Sequence, residues 1–174
     1  MLIHCFDLAS RTGIAIGRAG RTPRLIAAQI RKSTAESHPD SAGRLGVFLD
    51  ELWQVEEPDV VVVEDYMHHG QGSANAAIIA MLFRGCLQGQ AARRGIAVRS
   101  VSAQTWRKHF CGQANAGSRE QTNRMVWMRA CQLGYMERAA QPDYDKASAA
   151  GLFSWASATI AGKSADAFRL FGPI

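Results

Sequence analysis

Three stretches at the start of the chain carry strand-like patterns, Leu2 to Leu8, Thr12 to Arg18 and Arg24 to Ile30, the last two separated by the turn Gly20-Arg21-Thr22-Pro23. Short strands joined by tight turns predict an antiparallel meander. A polar loop from Arg31 to Pro39 follows, after which Leu45, Val47, Phe48, Leu49, Leu52 and Val55 form a helical stripe that stops before Pro58. Val60 to Val63 is an unbroken β-branched run, the pattern of a strand covered on both faces and therefore placed near the middle of a sheet. After a loop over residues 66–73, Ile78, Ile79, Leu82, Phe83 and Leu87 predict a helix from about Ala74 to Arg94. Its small residues, Ala76, Ala77, Ala80, Gly85 and Gly89, allow close approach to a neighbour.

Ile96 to Val101 predicts a fifth strand, and Ser102 is placed to cap a short helix through Trp106 to Phe110. Ser118 with Gln121 forms a capping box for a helix through Cys131 and Leu133, closed by Gly134. Pro142 then precedes a last long helix from Asp143 to about Ile160. The order βββ-α-β-α-β-α-α-α, without internal repeat or low-complexity linker, predicts one α/β domain over residues 1–174.

Set into this pattern are acids where strands and helices end. Asp7 closes the first apolar run, Glu64 and Asp65 close the valine run, and Asp143 and Asp145 open the last helix. A carboxylate at the rim of an apolar element is costly unless a cation compensates it. Three such acids from three distant segments read as a divalent-metal site. Asp65 points to the other side of its strand from Glu64 and reads as a solvated or salt-bridged acid. Asp143 and Asp145 also suit the first turn of a helix, where acids meet the macrodipole.

Twenty Lys and Arg against fifteen acids give a formal charge of +5, and acids committed to metal leave the outer surface more basic still. Clustered bases at Arg84, Arg93, Arg94 and Arg99, at Arg107-Lys108-His109, and at Arg119, Arg124 and Arg129 suit a polyanion such as nucleic acid. Cys5, Cys86, Cys111 and Cys131 lack paired metal-ligand spacing and read as reduced thiols. Trp106, Trp127 and Trp155 fall on apolar stripes and read as core or interface anchors. No apolar stretch approaches a membrane span, and the first residues run into a strand without a basic leader, which predicts a cytoplasmic protein with no membrane partner.

The succession of elements, with acids after the first and fourth strands and at the start of the last helix, resembles the ribonuclease-H-like nuclease fold. More narrowly it resembles the RuvC group of Holliday-junction resolvases, in particular the compact phage and prophage forms. Phe6-Asp7-Leu8-Ala9 through Thr12-Gly13-Ile14-Ala15 is similar to that family's opening Asp motif, and Val62-Val63-Glu64-Asp65 to its second. Thr105-Trp106-Arg107-Lys108-His109-Phe110-Cys111-Gly112, with Arg119 beyond, resembles the basic stretch before its DNA-contacting helix.

The resemblance implies a central mixed five-stranded sheet, three strands antiparallel and then two parallel, flanked by helices. It implies a crossover junction endodeoxyribonuclease that hydrolyses phosphodiester bonds in four-way DNA junctions, in recombination, repair or phage DNA processing. Two opposed cuts in a two-fold junction imply a homodimer. Two Mg²⁺ ions, replaceable by Mn²⁺, are implied as cofactors, with Asp7 bridging them, Glu64 on one and Asp145 on the other. The family's last motif carries two acids one helical turn apart, whereas Asp145-Lys146-Ala147-Ser148-Ala149 keeps the first and puts Ser148 at the second. Asp143, two residues upstream, is the candidate to substitute for the missing carboxylate. Lys108 is a candidate to steady the scissile phosphate, and Tyr66, Met67, His68, Arg107, Lys108 and Arg119 are candidate DNA contacts.

Two other readings compete. The run Asp7 to Gly13 also resembles the first phosphate loop of actin-like and sugar-kinase ATPases, but such proteins need a second similar domain and a second glycine-rich loop that this sequence lacks. A DNA-binding protein with a weak or decayed site is the other, and Ser148 favours it.

Overall fold

The computed structural model describes residues 1–65 and 74–170, with residue 74 and residues 161–170 described by their backbone alone. Strands β1 (Leu2–Asp7), β2 (Arg11–Arg18) and β3 (Arg24–Gln29) form the antiparallel meander, in a register that sets Asp7 opposite Gly13 and Gly13 opposite Ala27. On the other edge of β1, β4 (Val60–Asp65) pairs in parallel, Phe6 against Val63, and β5 (Ala97–Ser102) pairs in parallel with β4, Glu64 against Val101. The sheet order is therefore β3-β2-β1-β4-β5, the mixed arrangement expected of the sequence, with β1 at its centre. Val60 to Val63 are all buried, as their unalternated pattern requires.

Alternation along β1 and β4 sorts side chains onto two cores. Ile3, Cys5, Val60 and Val62 lie in one apolar cluster with Trp106, Phe110, Trp127 and Phe153, while Phe6, Val61 and Val63 lie in another with Leu45, Leu49, Trp53, Phe83 and Leu87. Helices α1 (His38–Val55) and α2 (Ala74–Arg93) cover the second face. Leu45, Leu49 and Trp53 of α1 recur every four residues and are buried, each burial contributing roughly 1.5–3 kcal/mol.

The loop expected through Pro39 ends earlier than the pattern suggested. Ser37 caps α1 by accepting from the Asp40 amide at 3.2 Å, and Pro39 sits in the first turn, where its missing N–H costs nothing. The apolar stripe begins about two turns later, because the buried residue of the first turn, Ser41, is polar and donates its hydroxyl to the Ser37 carbonyl at 3.0 Å.

The first face is covered by α3 (Ala103–Cys111), α4 (Arg119–Gln132) and α5 (Tyr144–Leu170). Ser102 caps α3 and Ser118 with Gln121 forms a full capping box on α4, both as the sequence predicts. Helix α5 continues to Leu170, beyond the expected end near Ile160. It runs directly over β1 and β2 because small residues face the sheet: Ala147, Ala149, Ala150 and Ala156 are fully buried. The four cysteines are free thiols, and no described helix is long and apolar enough to cross a membrane.

Candidate functional site

Where β1 and β4 end, alternation has carried the α5-facing positions from Cys5 to Asp7 and from Val62 to Glu64. Helix α5 begins beside them. It comes so near β2 that a Cβ on Gly13 would collide with the Asp145 carbonyl, so a residue with no side chain is what lets the helix start be laid against the strands. Asp7 therefore comes under the influence of Glu64 and Asp145 at one end of the sheet. The Asp7 carboxyl is pushed up to about 7, first by burial and then by the charges of Glu64 and Asp145, while the Ser148 hydroxyl and Arg107 pull the other way. Ser148 is thus within reach of Asp7, on the face of α5 that the three-residue spacing from Asp145 predicts.

Glu64 is held from the α3 side. The indole Nε1 of Trp106 donates to its Oε2 at 2.7 Å, and the Arg107 guanidinium stands 3.8 Å from the same oxygen. Burial nonetheless keeps the Glu64 carboxyl above its ordinary range, against the pull of Arg107 and Trp106. Trp106 is fully buried, and its ring is seated against Gly151 of α5, where any Cβ would clash with it. Arg107 lies over that ring, 5.1 Å from its centroid. A small pocket of about 50 Å³ opens in front of the two strand-end acids, lined by Asp7, Leu8, Glu64, Ala80 and Arg84.

The α5 side is organised by Arg11, the first residue of β2. Its guanidinium donates to both oxygens of Asp143, at 2.9 and 2.7 Å, and to Oδ2 of Asp145. Asp143 also accepts from the Lys146 amide at 3.2 Å and lies 3.5 Å from the Lys146 ammonium, so it caps the start of α5. These contacts, Arg11 first, hold the Asp143 carboxyl below its usual range. The candidate substitute carboxylate is therefore committed to Arg11 and to the helix end.

Of the residues the sequence singles out, Glu64, Asp145 and Ser148 all act on Asp7, and so does Arg107. Lys108 and Arg119 are exposed on α3 and at the start of α4, and neither forms an ion pair among the described residues. Tyr66, Met67 and His68 lie outside the described residues. Asp65, on the opposite face of β4, is salt-bridged to Arg84 of α2 at 2.7 Å. Sequence reasoning missed Arg11, whose partners lie more than 130 residues away, and it read Trp106 as an anchor only. Placement of Arg11 four residues after a rim acid was the one available hint.

The donor set is oxygen throughout: carboxylates of Asp7, Glu64 and Asp145 and the hydroxyl of Ser148. That chemistry suits a hard divalent cation such as Mg²⁺ or Mn²⁺, and the like charge accumulated around Asp7 is what such an ion relieves. Among the described residues, no three His, Cys, Asp or Glu side chains close round a common point as a finished metal cage. Asp7 senses the charges of Glu64 and Asp145, while Asp145 is turned to Arg11.

No family model matches the chain, and no curated protein matches it. Among solved structures it is similar to Thermus thermophilus RuvC, with a TM-score of 0.70 and 17% identity over 93% of this chain and 97% of that one. It is similar to T. thermophilus RuvC in complex with Holliday junction substrate, with a TM-score of 0.68 and 19% identity over 93% of this chain and 96% of that one. The yeast mitochondrial Holliday junction resolvase Ydc2 gives a TM-score of 0.56 and 16% identity over 95% of this chain and 83% of that one. The chain has the ribonuclease-H-like fold of these structures.

Proposed function

We propose that the chain is a divalent-metal-dependent, structure-selective endonuclease that hydrolyses phosphodiester bonds in four-way DNA junctions, in the cytoplasm, in recombination, repair or phage DNA processing. The observation that carries this reading is the meeting of Asp7, Glu64 and Asp145 at one end of the sheet, on a fold shared with RuvC, which has also been solved in complex with Holliday junction substrate.

Asp7 and Glu64 would hold the cation, with Asp145 and Ser148 as the neighbouring oxygen donors. When bound, the metal neutralises charge on the scissile phosphate and activates the attacking water. Trp106 fixes the orientation of Glu64, leaving Oε1 without a hydrogen-bond donor among the described residues. Arg107, already drawn to the acids, is placed to meet a phosphate that enters between them, and exposed Lys108 and Arg119 grip flanking phosphates. Tyr66, Met67 and His68 remain candidate DNA contacts from the sequence. Two opposed cuts call for a homodimer, and α2 offers it a face: Ile78, Met81 and Leu82 are exposed there.

The test is digestion of a synthetic four-way junction with Mg²⁺, comparing wild type with Asp7→Asn. Cutting by wild type alone supports the reading; equal cutting by both removes the metal assignment. A second reading, a branched-DNA binder with a weak or inactive site, is favoured by the neutral Ser148 and by the Arg11–Asp145 pair. It predicts a retarded junction in a gel that stays whole when Mg²⁺ is added.

A further inference from the structure

Resting on that nuclease reading, we propose that Arg11 is a resident cation on the Asp145 side of the cluster, so that the site binds one divalent ion, at Asp7 and Glu64.

The two halves of the cluster differ in how their charge is met. On the α5 half, Asp143 and Asp145 face Arg11 and Lys146, two acids against two bases, with Arg11 in hydrogen-bond contact with both carboxylates. A guanidinium stays protonated under all ordinary conditions and its planar fork matches carboxylate oxygens, so this neutralisation is permanent while the contact lasts. On the strand half, Asp7 and Glu64 face Arg107, at 3.8 Å from Glu64, and the neutral indole of Trp106, while Arg84, which also lines their pocket, is paired with Asp65. Negative charge without a matching cation is thus confined to Asp7 and Glu64.

Ser148 reinforces the division. A second ion would need anionic oxygens on the α5 side, and the two residues placed to supply them are an uncharged hydroxyl and a carboxylate turned to Arg11. Among the described residues no three acids form a finished cage, and Asp145 is the one of the three that is hydrogen-bonded to Arg11. Arg11 is substantially exposed, with 43% of its side chain accessible, so its removal does not open the core.

Titration of the metal-free protein with Mn²⁺, counting bound ions by the loss of the free-ion paramagnetic resonance signal, tests this without reference to cutting. Wild type is expected to bind one ion, and Arg11→Ala, which releases Asp145, is expected to bind two. Should the alanine variant lose its helical circular dichroism, Arg11→Gln serves the same purpose. Two ions in wild type would overturn the inference, and one ion in a folded Arg11 variant would remove Arg11 from it. No ion in wild type would instead sink the metal site itself, and with it the nuclease reading on which the count of ions rests.

Discussion

On the face toward α5, β1 runs Ile3, Cys5, Asp7 and β4 runs Val60, Val62, Glu64; on the face toward α1 and α2, the same strands run His4, Phe6 and Val61, Val63, Asp65. Toward α5 both strands stay apolar until they end in an acid; on the other face β1 carries His4 and ends at Phe6, and only β4 ends in an acid. The two faces resolve that ending differently. Asp65 is answered by one arginine, Arg84, and becomes an ordinary salt bridge. Asp7 and Glu64 face each other, gather Asp145, and retain a surplus of like charge. Strand parity thus separates a structural acid from a chemical one at adjacent positions, 64 and 65. The second face has its own anomaly: His4 is fully buried, and among the described residues neither ring nitrogen has a hydrogen-bond partner.

The contrast breaks most completely at Asp7. Asp7→Asn should lower junction cutting by more than about 100-fold, beyond the 10–100-fold typical of residues that only support a metal ligand. It should also stabilise the metal-free protein. With the folded carboxyl pushed up to about 7, the unfolded chain gives up its proton first, so stability falls as pH rises from about 4 toward 7. Melting in chelator at pH 8 should show the variant higher by roughly 10 °C, on the scaling for a chain of this size. An unchanged melting point would mean that the charge is already compensated.

His4 should give the next largest effect, with the opposite sign in pH. Burial, helped by the charge of Arg24, lowers its pKa to about 4, so the unfolded state takes up the proton first as pH falls. Its stability contribution is complete above about pH 6.5 and is lost on descending to about pH 4, a change of about 3 kcal/mol. Denaturant unfolding of His4→Leu between those pH values should lack this decline; a decline equal to wild type would locate the acid sensitivity elsewhere.

A smaller effect is expected at Trp106. Trp106→Phe keeps most of the ring in the core but removes the donor to Glu64, and should cost about 10-fold in cutting with a modest loss of stability, about 1 kcal/mol. If the melting point drops sharply while the cutting rate of the folded fraction is unaltered, the indole is an anchor and nothing more. Asp65→Asn should do least: cutting within roughly threefold of wild type and stability within about 1 kcal/mol, as for a partly exposed ion pair. Loss of cutting as large as at Glu64 would erase the distinction between the two faces.

What could be read in advance was whatever is encoded within a few residues. The valine run, the rim acids and the Ser102 and Ser118 caps are local patterns, and each appears where its pattern puts it. The early start of α1 was hidden because Ser37 and Pro39 sit among polar residues that also suit a loop. The Arg11 clamp was illegible for a stronger reason: the sequence shows a basic residue in a tight turn, and only the laying of α5 across β2 decides which acids it meets. Trp106 was half legible, since an apolar stripe predicts burial but says nothing of where Nε1 will point.

The hydrogen atom that serves as the side chain of Gly13 has a mechanical corollary. At Gly13 helix α5 bears on β2 through peptide atoms, with no pliable side chain between them, so at this end of the sheet the gap separating the strand-end carboxylates from those of the helix is set by backbone contact. Rotamer changes elsewhere in the interior therefore have little purchase on that gap. Its width is a property of the scaffold, and widening it requires lifting the whole helix.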